Sequence, residues 1–181
     1  MNRHLKEQGM ANPWLIVCGV VVLFGGVVFF GAPYVPSQKK YIRRVFDHIA
    51  LGPDDTVVDI GSGDGVVLRV AASYGARAVG YEIHPVLVWV SRLLSRGDKL
   101  VSVRLANAWQ ATLPDHATII YAFSVSRDEA KLIKLVQRET NRLGRPLKLL
   151  CLGSPFQSRL ADETFEAYGL YIFRPLQLKK A

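Results

Sequence analysis

From Trp14 to Ala32 the chain carries no charged residue. At ~1.5 Å per residue, a helix over 14–32 comes close to the ~30 Å hydrocarbon core of a bilayer. Trp14 and Tyr34 flank the run, where amphipathic rings favour the membrane interface. The run is long for a signal peptide, and Pro33 stands where small-residue cleavage would be expected. The pattern therefore predicts a retained single-pass helix over 14–32 behind a polar leader, 1–13. Lys39, Lys40, Arg43 and Arg44 follow the run, against Arg3 and Lys6 before it. That asymmetry predicts a cytoplasmic C-terminal domain, on a bacterial inner membrane or an organelle membrane.

Residues 33–52 read as a juxtamembrane amphipathic helix with Ser37 as its cap. Ile42, Val45, Phe46 and Ile49 recur at helical spacing and should face a core, with the four basic residues opposite. Those cations suit anionic headgroups, or simply a solvated face.

From residue 53 to 181 apolar runs alternate with amphipathic helices. Strands are predicted over 56–60, 78–82, 100–105, 117–123, 147–152 and 170–173. Helices are predicted over 66–74, 85–97 and 127–143, each stopped by a glycine: Gly75, Gly97 and Gly144. In the second helix Leu87, Val88, Leu93 and Leu94 supply the apolar positions; in the third, Ala130, Ile133, Leu135 and Val136 point inward. Strand and helix in alternation mean βαβ units around a mostly parallel sheet, an α/β fold. Residues 154–168 show no clear period.

Composition adds two constraints. Half of the residues are hydrophobic and mean hydropathy is +0.17, which excludes a disordered chain. Net charge is +8; the basic cluster beside the apolar run accounts for much of it, and no nucleic-acid motif accompanies it, so a nucleic-acid partner is not expected. Cys18 and Cys151 make no disulfide framework, and the scattered histidines show no metal spacing. No metal site is expected.

The strongest local signal is VVDIGSGDGVVL, 57–68, a strand running through Gly61, Gly63 and Gly65 into a helix. Such glycines permit a tight turn and close approach of main chain to ligand. Glu82 ends the next strand, where a carboxylate can accept both hydroxyls of a ribose. A dinucleotide loop would need glycine at Val66, and the phosphate-loop signature is missing. The D-x-G-x-G-x-G form is the one that binds S-adenosylmethionine. Asp64 should serve the loop or the following helix N-terminus through its charge. His84, just before Pro85, reads as a capping or surface residue, and Cys151 as a small core residue.

The segments YVPS (34–37), DIGSGDG (59–65) and AVGYEIHPVLVWVSRL (78–93) resemble the ATP synthase c-subunit and adenine nucleotide translocase lysine methyltransferase family. The resemblance covers residues 34 to about 110. It implies a Rossmann-like class I methyltransferase preceded by a single transmembrane helix. Asp59, Gly61 and Gly63 would surround the methionine and ribose of the cofactor and Glu82 would hold the ribose hydroxyls. Where the family has an acidic residue two before a tryptophan, this chain has Asn107 before Trp109. Asparagine can hydrogen-bond an adenine edge but cannot serve as a base. The family's proline-rich segment after the fifth strand is matched in part by Gly153-Ser154-Pro155-Phe156-Gln157.

Cofactor-binding candidates are thus Asp59, Gly61, Ser62, Gly63, Asp64, Gly65, Glu82, Asn107 and Ala108. No residue stands out as catalytic; the candidates are Asn107, Trp109, Pro155 and Phe156. Trp109, Tyr121 and Phe156 fall at predicted strand ends, where they could hold a cation against a ring or merely pack. The expected function is methyl transfer to a lysine of a membrane protein. Transfer to a lipid or small hydrophobic acceptor, and a non-catalytic protein that keeps the cofactor fold, are the alternatives.

Overall fold

The computed structural model describes residues 38–124, 126–153 and 156–176, together with Trp14. The chain divides into two units, Met1–Val35 and Pro36–Ala181. The apolar run 14–32, apart from Trp14, lies outside the described residues, as do the leader, Ser37 and Pro155. Among the described residues no helix is long and apolar enough to cross a membrane.

The second unit begins with α1 (Lys39–His48), whose inward stripe is Ile42, Val45 and Phe46. Gln38, rather than Ser37, occupies its cap position, and makes no side-chain cap bond. The alternation then follows as β1 (Thr56–Ile60), α2 (Val66–Ser73), β2 (Arg77–Glu82), α3 (Pro85–Leu94), β3 (Val101–Leu105), β4 (Ile119–Ser124), α4 (Glu129–Leu143), β5 (Leu147–Gly153), β6 (Glu163–Phe165) and β7 (Tyr168–Phe173). The strands form one sheet in the order β3-β2-β1-β4-β5-β7-β6. The first five are parallel, and β7 and β6 add an antiparallel edge. The unpatterned stretch 154–168 contains β6, a three-residue strand too short to show a period.

Each central strand feeds two cores. Val57 packs with Phe46, Leu68 and Val88 on one face, and Val58 with Ile120, Leu132 and Val136 on the other. Such strands, covered on both faces, read as continuous apolar runs. The helices depart from expectation in instructive ways. The inward face of α3 is Val88 and Ser91, while Leu93 and Leu94 are exposed and Leu87 is half-buried. In α4, Ala130 is exposed, and Leu132, Glu139 and Thr140 are buried beside Leu135 and Val136. Tyr121 lies within β4 rather than at its end. It is packed edge-on to Phe46 and lies within hydrogen-bonding distance of the Tyr168 hydroxyl, so it is core.

Buried Glu139 organises the long β3–β4 connection. Its carboxylate accepts from Arg138 Nε and Arg142 Nε, both at 2.8 Å, and from the Leu113 amide at 3.1 Å. The same arginines donate onward to the carbonyls of Trp109, Ala111 and Leu113. Burial pushes the Glu139 carboxyl up, but these bonds outweigh it and hold its pKa below the ordinary value. Removing this carboxylate leaves the buried Leu113 amide without its acceptor and takes the buried counter-charge from two guanidinium groups. Glu139→Ala is expected to cost about 3 kcal/mol, seen as a lower midpoint in urea unfolding.

Candidate cofactor site

The sheet order reverses between β1 and β4, and open α/β sheets bind ligands outside the carboxyl ends of their strands at that switch. The loop leaving β1 occupies this point. Its turn is tied to β2: the amides of Gly61 and Ser62 donate to the Tyr81 carbonyl at 2.9 and 3.1 Å. Gly61 has φ +77°, and the space where a side chain would project is open. Gly65, φ +78°, takes the cap position of α2. Asp64 caps the helix through its own side chain, Oδ1 accepting from the Val66 amide at 3.2 Å, and Arg69 holds the Asp64 carbonyl at 2.6 Å.

Glu82 turns toward this loop. Oε2 accepts from the Gly63 amide at 2.9 Å and Oε1 from the His84 amide at 2.8 Å. Each carboxylate oxygen retains acceptor capacity beyond one bond, so the group is oriented while still able to receive two hydroxyls. His84 stands at the α3 cap position without a side-chain cap bond; its contribution here is its main-chain amide.

Asp59, buried at the end region of β1, shares the neighbourhood. Burial, then the charges of Glu82 and Asp64, push its carboxyl up from 3.8 to about 8. The buried Ser62 side chain lies behind the loop, against Gly80. One further feature fits a ligand with an apolar part: Ile83, beside Glu82, is an exposed apolar side chain. A cation placed here would relieve the Asp59–Glu82 repulsion, and a ribose would satisfy Glu82. The residues present therefore fit the sulfonium nucleoside that the sequence motif suggests.

The space behind the loop admits no side chain at position 80. A Cβ there would lie 2.7 Å from Ser62 Cβ and 2.6 Å from Leu68 Cδ1. Gly80→Ala is expected to displace the loop and weaken cofactor binding about tenfold, with a measurable loss of stability. Calorimetric titration with S-adenosylmethionine checks it.

The other candidates spread differently. Asn107 Oδ1 accepts from the Trp109 amide at 3.1 Å, a local turn that leaves the NH2 group to offer a ligand. Ala108 is buried and Trp109 half-buried on the same connection. Phe156 is buried and stacked on Tyr171 at 4.3 Å, its amide donating to the Tyr171 hydroxyl. It belongs to the core and offers no open ring face to a cation. The loop carrying it is pinned by Glu129, whose carboxylate accepts from the amides of Gln157 and Ser158, both at 2.9 Å. Phe123, near the carboxyl end of β4 and last in the apolar run 117–123, is 39% exposed, which the pattern did not single out. Among the described residues no group of side chains could hold a metal ion.

Comparison with known proteins supplies the context. The methyltransferase domain family matches residues 58–152. The chain is 29% identical over 171 residues to the lysine N-methyltransferase of the ATP synthase c-subunit from Xenopus laevis, covering 88% of this chain and 74% of that protein. It is 34% identical over 137 residues to the Mus musculus protein of the same name, covering 73% of this chain but 53% of that one. Thus it spans about three quarters of one relative and about half of the other. Among solved structures, an RNA methyltransferase from Salinibacter ruber in complex with S-adenosyl-L-homocysteine superposes with TM-score 0.64. The two are 26% identical, and the match covers 81% of this chain and 98% of that one.

Proposed function

The chain belongs to the methyltransferase domain family, with S-adenosylmethionine as its cofactor, and we propose that it methylates the side-chain amine of lysine in a membrane-associated protein. The observation that carries the acceptor is the likeness to two proteins named as lysine N-methyltransferases, one of them aligned over 88% of this chain. The apolar run 14–32 and the basic residues after it support a single-pass anchor with the catalytic domain on the cytoplasmic side. An anchor raises the local concentration of any substrate held in the same bilayer.

When bound, S-adenosylmethionine supplies an electrophilic methyl on a sulfonium. Gly61 and Gly63 would let the main chain approach it, and Glu82 would fix the ribose. Transfer is an in-line displacement, so the protein's task is largely to align acceptor and methyl group. A lysine with an unperturbed pKa of roughly 10.4 must lose a proton before attack. The half-buried Trp109 and exposed Phe123 offer apolar surroundings that favour the neutral amine. Asn107, where the family resemblance puts a carboxylate, cannot accept that proton.

Mass spectrometry of the membrane proteome with and without this gene tests the reading. Methyl-mass steps on lysine that vanish with the gene are expected. Label from radioactive cofactor appearing in the lipid extract instead would transfer the activity to a lipid acceptor.

A further inference from the structure

Helix α3 is amphipathic the wrong way round. Its inward stripe carries the hydroxyl of Ser91 beside Val88, and Ser95 follows at its C-cap; both hydroxyls are buried and lack partners. Its outward face carries Trp89 and Leu93, 64% and 51% exposed, with Leu94 and the partly exposed Val90 beside them. Leu105, also exposed, ends the neighbouring β3, an edge strand of the sheet. An apolar outward helix face is ordinarily covered, and exposed apolar surface with a polar rim marks an interaction site.

The rim identifies the chemistry of the cover. Arg92, Arg96 and Lys99 are all exposed along and just beyond the helix. Asp98, the acidic residue in that turn, has its carboxylate engaged with the Leu100 amide at 3.0 Å. Arg92 donates from Nε and Nη2 to the Val103 carbonyl, at 3.1 and 2.8 Å, so its charge is fixed at the sheet edge. A second copy docked face to face would oppose these cations to one another, which disfavours a symmetric pair. Tryptophan and leucine ringed by arginine and lysine match the interface of an anionic bilayer, where an indole sits at headgroup level and cations meet phosphate.

We infer that the outer face of α3, with Leu105, lies against an anionic lipid bilayer. This contact is separate from any span over residues 14–32 and does not require a lysine acceptor. Because Leu105 is registered with Glu82, it brings the ligand end of the sheet to the lipid surface.

Tryptophan emission reads this face alone. The full chain carrying Trp14→Phe and Trp109→Phe retains Trp89 as its one indole. Should that variant fail to fold, the wild-type chain compared with Trp89→Phe gives the same signal by difference. On vesicles of phosphatidylglycerol with phosphatidylcholine, Trp89 emission should shift to the blue and be quenched by lipids brominated along the acyl chain. Pure phosphatidylcholine should give a weaker response. Arg96→Gln with Lys99→Gln should lower the docked-to-free ratio about 30-fold, from ~1 kcal/mol per basic residue. If the chain floats with anionic vesicles while Trp89 emission stays unchanged, the inference is overturned although an anchor stands. A blue shift that depends on protein concentration without lipid would assign the face to a second copy and overturn it equally.

Discussion

Glu82→Gln should weaken S-adenosylmethionine binding roughly 100-fold in calorimetric titration, although the two side chains have the same shape. The carboxylate accepts one main-chain amide at each oxygen, Gly63 at Oε2 and His84 at Oε1. A carboxamide has one acceptor and one donor end. Whichever way it turns, its NH2 group confronts an N–H, and either the loop or the start of α3 must move. The two ribose hydroxyls would lose a charged acceptor at the same time. Bonds to charged groups are each worth ~1.5–3 kcal/mol, so a loss of about 3 kcal/mol follows. In steady-state kinetics the change should fall mainly on KM for the cofactor, because the ribose that Glu82 would hold does not react. Glu82→Asp would shorten the reach without losing the charge and should recover part of the affinity. Wild-type affinity in the glutamine variant would mean that Glu82 does not hold the ribose.

The parts of this site that were legible in the sequence are those fixed by local rules. A loop needing positive φ at Gly61, Gly63 and Gly65 writes glycine into the chain, and a carboxylate at a strand end needs only the strand to be recognised. The sheet was legible for a similar reason: Val57, Val58, Ile119 and Ile120 are buried on both faces and therefore read as unbroken apolar runs. Long-range arrangement was not legible. Nothing in the spacing of α4 says that Glu139 reaches Leu113 across the β3–β4 connection. The inverted face of α3 misled a periodicity argument, because apolar residues turned outward give the same period as apolar residues turned inward. Phe156 was placed near a strand end by sequence, but its stacking on Tyr171 depends on β7, an antiparallel strand that the chain reaches only after β6.

The Asp59–Glu82 neighbourhood makes the free protein and the cofactor respond to pH in opposite directions. Asp59 has a pKa near 8 when folded, by burial first and by Glu82 and Asp64 second, against 3.8 ordinarily. Between those values the native state holds a proton that the unfolded chain has released. Stability of the cofactor-free protein therefore falls as pH rises, by up to ~1.4 kcal/mol per unit, with the contribution complete below about pH 4 and lost through pH 8. Asp59→Asn, which cannot ionise, should flatten that slope in urea titrations across the same range and leave the variant more stable than wild type at pH 8. A cationic ligand acts the other way. Charge beside Asp59 favours its ionised form, so binding at neutral pH expels a proton, and affinity for S-adenosylmethionine should climb by up to tenfold per pH unit towards pH 8 before levelling. Titrations in two buffers of different ionisation enthalpy would reveal the released proton. S-Adenosylhomocysteine, which lacks the sulfonium charge, should show a shallower rise, and in the Asn variant the two compounds should converge. Equal pH slopes for wild type and Asp59→Asn would remove Asp59 from the electrostatics of the site. Divergent slopes would mean that this carboxyl helps the protein to tell the charged methyl donor from its neutral product.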